Sequence, residues 1–313
     1  MNRSVLVTGP GFTDGHFESL RHSGFEVIHK PDDIPKEELV RLLIDADAYI
    51  LGGAERVAQE ELVQAKKLKC ISFVGTGAGS FIDLQAAEAL GIAVTNTPGI
   101  AARAVAEHTL GLMLGLRRRL FDGNGAVKRS FRPTVLSSEV SASKIGIVGM
   151  GVIGSCLARM LTKGMGVKVY YASRTRKRDI EDDLGLVWCT LQEIFATCDI
   201  VSLLVPLTPD TRFFVNDALL KLSPKHQVII NTADANLIDP ASLKAALQDK
   251  RIEAAAFDGY YVEPIPAVED DPFGFLELSD NVFVITPHGA AKTPQTWQRM
   301  IDLSVANLIN FNS

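Results

Sequence analysis

Short apolar runs alternate along the chain with segments of helical periodicity. SVLVTG, FEVIHK, AYILGG, LKCISFVG and GIAVTNTP read as strands within the first hundred residues. Between them, residues 17–22 and 36–44 read as helices, the second amphipathic through Leu39, Leu42 and Leu43. Strands separated by helices imply crossover connections and a parallel sheet. Near Pro98 the pattern changes, and residues 101–121 (AARAVAEHTLGLMLGLRRRLF) read as one long helix. Its apolar surface is too wide for a solvent-facing helix, which predicts burial between domains or subunits, and its basic end complements the negative pole of the helix dipole. After a glycine- and serine-containing stretch at 122–143 the alternation becomes more regular. KIGIVGMG, VKVYYAS and DIVSLLVP read as strands, VIGSCLARMLTKG and LQEIFAT as helices, and HQVIINTA, PASLKAALQDK, IEAAAFDG and NVFVITPH continue the series. Residues 294–311 form a last amphipathic helix, expected to return to the first domain.

A chain of 313 residues exceeds what one hydrophobic core usually serves, so two domains are expected, 1–99 with 290–313 and 100–289. The formal net charge of −5 gives no global attraction for a polyanion, which argues against a nucleic-acid partner. Cys70, Cys156, Cys189 and Cys198 are far apart and form no C-x-x-C pair, which fits reduced thiols in a cytosol better than zinc or disulfides. The first residues lack a signal-peptide core, and the greasiest run, TLGLMLGL, is too short to cross a bilayer. The expectation is a soluble cytoplasmic protein with no metal and no membrane partner.

Candidate chemistry begins at Gly149-Met150-Gly151-Val152-Ile153-Gly154, a G-x-G-x-x-G that ends one apolar strand and opens a helix. In that context Gly149 permits a tight turn, Gly151 lets a pyrophosphate approach the backbone, and Gly154 lets helix and strand pack closely. An NAD site usually places an acid about 20 residues on, to bind the ribose hydroxyls. Here the next strand ends Tyr170-Tyr171-Ala172-Ser173, followed by Arg174, Thr175, Arg176, Lys177 and Arg178, with no carboxylate before Asp179. Hydroxyl and guanidinium groups would hold a 2′-phosphate, so the sequence favours NADP over NAD, with Ser173, Arg174 and Thr175 as contacts. The competing explanation is a solvated, charged loop.

The succession IDLQAAEALGIAVTNTPG, AVAEHTLGLML, KIGIVGMGVIG, CDIVSLLVPLTPDTR, NLIDPASLKAAL and NVFVITPHGAA resembles the D-isomer-specific 2-hydroxyacid dehydrogenases over nearly the whole chain. That family includes D-lactate, glycerate, glyoxylate/hydroxypyruvate, phosphoglycerate and phosphonate dehydrogenases. The resemblance implies an α/β protein of two doubly wound parallel-sheet domains, a flavodoxin-like substrate domain and a Rossmann cofactor domain with a cleft between them. It implies a homodimer through the cofactor domain. It also implies that His288 exchanges a proton with a 2-oxo acid while a nicotinamide supplies hydride, that Glu263 orients His288, and that Asp258 supports the nicotinamide. Thr109, Pro206 and Thr232 match positions lining the cofactor site. The loop at 75–80, through Gly77, Ala78 and Gly79, matches one whose amides receive the substrate carboxylate.

One position departs from the pattern. Where the family reads Asn-Thr-Ala-Arg-Gly-Gly, with the arginine gripping the substrate carboxylate, this chain reads Asn231-Thr232-Ala233-Asp234-Ala235-Asn236. A carboxylate there repels an anion. The loop also has Ser80-Phe81 where relatives have Asp-Asn. Three accommodations remain open: a substitute cation, with Lys292 and Arg103 as candidates; a substrate whose neutral or cationic group Asp234 accepts; or loss of catalysis, leaving an NADP(H)-binding regulatory or scaffold protein. Retention of His288 and Glu263 favours an NADPH-dependent carbonyl reductase, or the reverse oxidation. The other five histidines read as surface or core residues.

Overall fold

The computed structural model describes residues 3–129 and 136–311. The chain divides into two compact units, one running to Ala101 and resuming at Lys292, the other spanning Ala102–Ala291. In the first unit β1 (Arg3–Thr8), α1 (Asp14–His22), β2 (Phe25–Lys30), α2 (Lys36–Asp45), β3 (Ala48–Leu51), α3 (Gln59–Gln64), β4 (Cys70–Phe73), α4 (Leu84–Ala89) and β5 (Ala93–Thr95) follow in turn. The strands pair in parallel in the order β2-β1-β3-β4-β5, which is the flavodoxin-like order. Every residue of β3 and β4 is buried, as expected of strands covered on both faces.

The second unit begins with α5 (Ala102–Arg117) and α6 (Leu120–Lys128). It continues through β6 (Ile145–Val148), α7 (Val152–Arg159), β7 (Val169–Ala172), α8 (Arg178–Leu184), β8 (Val187–Trp188), α9 (Leu191–Thr197) and β9 (Ile200–Leu203). Then come α10 (Asp217–Leu220), β10 (Val228–Asn231), α11 (Pro240–Gln248), β11 (Ala254–Asp258) and β12 (Phe283–Thr286). All strand pairs are parallel, in the order β12-β11-β10-β9-β6-β7-β8. This is the dinucleotide-binding order extended by one strand, with its switch point between β6 and β9. Alternate strand residues feed two cores. Ile145, Ile147, Ile230 and Ala256 pack with Leu112, Met113 and Leu157 from α5 and α7. Ile229, Ala255 and Phe257 pack with Phe195, Leu219 and Leu243 from α9, α10 and α11. The last helix, α12 (Pro294–Phe311), packs on β3, β4, β5 and α1 of the first unit. There the Ser304 and Ser72 hydroxyls meet at 2.8 Å, and Trp297 Nε1 donates to the Pro10 carbonyl at 2.9 Å. No helix among the described residues is long and apolar enough to cross a membrane.

The single helix expected over 101–121 is instead two. α5 stops at Arg117, Arg119 takes a left-handed conformation (φ 53°), and α6 restarts at Leu120. The cause lies at Gly115, where the Phe121 ring folds back into the space a Cβ would need. The glycine- and serine-containing stretch that follows begins as helix. α6 runs through Gly123 and Gly125, although each glycine costs about 1 kcal/mol in a helix interior. Its return is tertiary: Phe121 joins the core formed by Leu112, Leu116 and Met113. The wide apolar face of α5 is spent within its own unit, on α7, β10 and β11. After Arg159, α7 passes into a π-helical turn (Met160–Gly164) rather than continuing regularly.

Candidate active site

β6 delivers the chain to the switch point, where the three glycines of the loop have different local reasons. Gly149 sits at φ +106°, and a Cβ there would stand 2.5 Å from the Leu204 carbonyl oxygen at the end of β9. Gly154 lies against the carbonyl of Gly149, so any side chain would force α7 off the strand. Gly151 is the N-cap of α7, and nothing lies within 4 Å of its would-be Cβ. Two glycines therefore shape the turn, and the third leaves open ground before the unpaired amides of a helix start. A dinucleotide pyrophosphate fits that cradle. Met150 is buried beneath it, Val152 is exposed and Ile153 is half-buried.

At the end of β7, the Ser173 hydroxyl donates to the Thr175 carbonyl at 2.7 Å, while Arg174 and Thr175 are exposed. The basic run is not uniform. Arg176 grips Glu181 through Nε at 2.8 Å and Nη2 at 2.7 Å, and Tyr171 donates to the same carboxylate at 2.7 Å. Arg176 first, then Tyr171, hold the Glu181 carboxyl down at about 2. Arg174, Lys177 and Arg178 form no ion pair among the described residues. Pro206 lies exposed beyond β9, its carbonyl accepting from Thr211 Oγ1 at 2.7 Å. Thr109, expected beside the cofactor, is fully buried. Its hydroxyl donates to the Val105 carbonyl and bonds that of Thr232 at 2.7 Å, which ties α5 to the end of β10.

The acid–base candidates gather where β10, β11 and β12 end. His288 Nδ1 and Glu263 Oε1 lie 2.7 Å apart, with the His288 backbone left-handed at φ 50°. No other hydrogen bond to this ring forms among the described residues, which leaves Nε2 available. Asp258, buried at the end of β11, fixes the turn carrying His288. Its Oδ1 accepts from Thr286 Oγ1 at 2.7 Å and Gly289 N at 2.9 Å, and its Oδ2 accepts from Ala290 N at 2.8 Å. The Glu263 side is held by aromatic packing. Tyr260 donates to Asp271 at 2.6 Å, and Tyr261 stacks on Phe275 with ring centres 5.9 Å apart.

His288, Glu263, Asp258 and Asp234 line one cavity of about 160 Å³, enough for a small organic molecule. Its lining contains three carboxylates and no lysine or arginine. Asp234 Oδ1 caps the 3-10 turn Ala235–Leu237, accepting from Asn236 N at 2.8 Å and Asn236 Nδ2 at 3.1 Å. Oδ2 has no partner among the described residues. Asn231 locks the turn from behind, its Nδ2 donating to the Asp234 carbonyl at 2.8 Å. A larger hollow, about 500 Å³, runs between β12 and α6, but its lining is mostly apolar and holds no acid–base pair.

Of the two substitute cations considered, Arg103 is engaged by Glu107 at 2.8 Å. Lys292 is exposed and opens the returning segment of the first unit. Gly77 and Gly79 are also exposed in the first unit, around the 3-10 turn Ala78–Ser80, with Ala78 buried. Three of the other five histidines have acidic or hydroxyl partners. His16 Nε2 meets Asp302 at 2.9 Å, His226 Nε2 meets Asp199 at 2.5 Å, and His108 Nε2 meets Thr286 Oγ1 at 3.0 Å and lies 3.7 Å from Asp258. These partners are remote in sequence, so no local spacing announces them. Gly259, missed as a site residue, had a local signal in the Asp-Gly step closing a strand.

Comparison with known proteins identifies the family and the fold. Residues 110–290 match the NAD-binding domain of the D-isomer-specific 2-hydroxyacid dehydrogenases. The chain is 33% identical to a glyoxylate reductase of Aeropyrum pernix, covering 98% of this chain and 92% of the relative. It is 34% identical to a glyoxylate reductase of Pyrococcus furiosus, covering 99% and 91%. The crystal structure of a Thermus thermophilus protein superposes with a TM-score of 0.83 at 30% identity, covering 97% of this chain and 95% of that one. With a Rossmann sheet, a glycine cradle at its switch point and these relatives along its whole length, the chain belongs to the D-isomer-specific 2-hydroxyacid dehydrogenases, nicotinamide-dependent oxidoreductases acting on CH–OH groups.

Proposed function

We propose that this protein is an NADPH-dependent reductase of a small carbonyl compound, a 2-oxo acid or a relative of one, with atypical recognition at Asp234. The observation that carries the proposal is the His288–Glu263 contact of 2.7 Å within a cavity of this unit. Glu263 accepts the Nδ1 proton, fixes the ring, and leaves Nε2 to give a proton to the substrate carbonyl oxygen or to take one from an alcohol. A bound nicotinamide supplies or accepts the hydride. The amide-lined ground at Gly151 holds its pyrophosphate, and Ser173 with the unpaired Arg174 receives the 2′-phosphate, which is why NADPH is favoured over NADH. Asp234 adds negative charge where a carboxylate of the substrate would otherwise be gripped. We therefore assign it a hydrogen-bond donor of the substrate, such as a hydroxyl or amine. Free thiols, with Cys70 and Cys198 pushed up to about 11 by burial, suit a reducing cytosol. Exposed Leu120 and Val127 on α6 suit a dimer contact made by this unit.

The test is turnover. Purified protein with NADPH or NADH is offered glyoxylate, pyruvate, hydroxylated and aminated 2-oxo acids, and neutral ketones and aldehydes. Oxidation of NADPH with at least one of them, faster than that of NADH, supports the proposal. Tight NADPH binding without turnover on any member would replace it with a non-catalytic binding role.

A further inference from the structure

The carboxylate that fixes the His288 turn does not act alone. Asp258 (side chain 3% exposed) and the Thr286 hydroxyl form a chain that ends on His108 of α5. The Thr286 hydroxyl carries a single proton, and its nearest acceptor is Asp258 Oδ1 at 2.7 Å; the Phe257 carbonyl is farther, at 3.2 Å. Thr286 Oγ1 must then accept from His108 Nε2 at 3.0 Å, which places the His108 proton on Nε2. The direction of donation is therefore uniform, from His108 through Thr286 to Asp258. Asp258 in turn accepts the amides of Gly289 and Ala290, the two residues directly after His288. Thr286 lies two residues before His288, and its carbonyl accepts the His288 amide at 2.8 Å. The left-handed residue is thus clamped on both sides through one buried carboxylate. On the same helix turn, Thr109 bonds Thr232 at the base of the Asp234 turn, so adjacent residues of α5 secure both turns that line the cavity.

The geometry points to His108 as a positioning residue. Its Nε2 proton orients the Thr286 hydroxyl toward Asp258, and so holds the turn that presents His288 to its substrate. His108 neither lines the cavity nor reaches the reacting atoms; it acts only through Thr286 and Asp258. This inference rests on the function proposed for His288. The bland explanation is a half-buried histidine that merely satisfies a threonine, and it predicts a loss of stability without a specific effect on the His288 ring.

The experiment compares His108→Leu, which removes the donor, with His108→Gln, whose amide nitrogen can reach Thr286. Steady-state kinetics are read together with the ring 15N resonances of His288 in histidine-labelled protein. Misplacement of a reacting group by a fraction of an ångström to 1 Å can lower rate by about ten- to a hundredfold, so His108→Leu should lose that much in kcat. Its KM for NADPH should stay within about twofold, because the Gly149–Gly154 cradle is untouched. His108→Gln should recover to within about threefold of the parent, and the His288 resonances should move in the leucine variant and return in the glutamine variant. Thr286→Val, which cuts the chain one link nearer, must reproduce the leucine pattern; it decides the matter should His108→Leu fail to fold. Parental kcat and unmoved His288 resonances in a folded leucine or valine variant would overturn the assignment. Equal losses in the leucine and glutamine variants, in step with melting temperature, would overturn it too. If the parent shows no turnover, the proposed function fails, while the His288 resonances still decide whether His108 positions the turn.

Discussion

Replacing Gly259 with alanine perturbs the acid–base pair without altering either partner. Gly259 sits at φ +94°, and a Cβ built there stands 2.8 Å from Glu263 Oε1 and 3.3 Å from Cγ and Nδ1 of His288. Ordinary contact needs about 3.4 Å or more, so the carboxylate has to retreat by about 0.6 Å while the ring gives a little. If a 1 Å misplacement costs up to about a hundredfold in rate, this shift corresponds to about a tenfold loss in kcat. The backbone strain adds about 1–3 kcal/mol of lost stability, roughly 2–4 °C in Tm for each kcal/mol. Gly185→Ala is the matched control. That residue, in the same unit, has φ +65° with nothing within 4 Å of its would-be Cβ, so it carries the strain without touching the site. Kinetics and thermal melts on both variants separate the two effects: both should melt earlier, and only Gly259→Ala should lose kcat. A folded Gly259→Ala enzyme with parental kcat would refute the geometric argument.

Three further expectations follow from named contacts. Arg174→Ala should weaken NADPH binding by about tenfold, the value of one charge-assisted bond at an exposed site, and leave NADH binding unchanged; equal losses for both cofactors would show that Arg174 does not meet the 2′-phosphate. Asp234→Arg should raise kcat/KM on glyoxylate or pyruvate by removing a carboxylate and supplying a bidentate donor, while loss of the cap costs about 1 kcal/mol; no gain on either acid would refute the reading of this position. Glu181, held at about 2 against an ordinary value of 4.5, contributes stability that is complete above pH 4.5 and lost as the pH falls toward 2. Glu181→Gln should therefore melt earlier near neutrality and show a flatter dependence of Tm on pH across that window; a dependence as steep as the parent's would mean that another carboxylate carries it.

Much of the architecture was legible because parallel strands covered on both faces, such as β3, β4, β9 and β10, are runs of apolar residues that periodicity identifies. The glycine loop was legible for the same reason that it works, since each glycine answers a distinct close approach or dihedral. The break between α5 and α6 was not, because it depends on Phe121 filling a socket at Gly115 that exists only once α5 has packed. Propensity alone treats Gly123 and Gly125 as loop. At the site, His288 and Glu263 stood out by resemblance, and their contact is present. The supporting layer stayed hidden: His108 and Thr286 are far apart in sequence, and only the packing of α5 against the sheet brings them together. Asp258 likewise acts in the structure through the backbone amides it organises, a role that no motif encodes.

The most direct measurement concerns His288 itself. In His288→Gln, nicotinamide dinucleotide binding should be unchanged, because the glycine cradle lies at the β6–β9 switch point, away from the turn that carries the histidine. Reduction of whichever carbonyl compound the parent accepts should fall by about 10²–10⁴ in kcat, the usual contribution of a positioned acid–base group. A variant that binds cofactor and turns over at the parental rate would contradict the assignment of proton transfer to this ring.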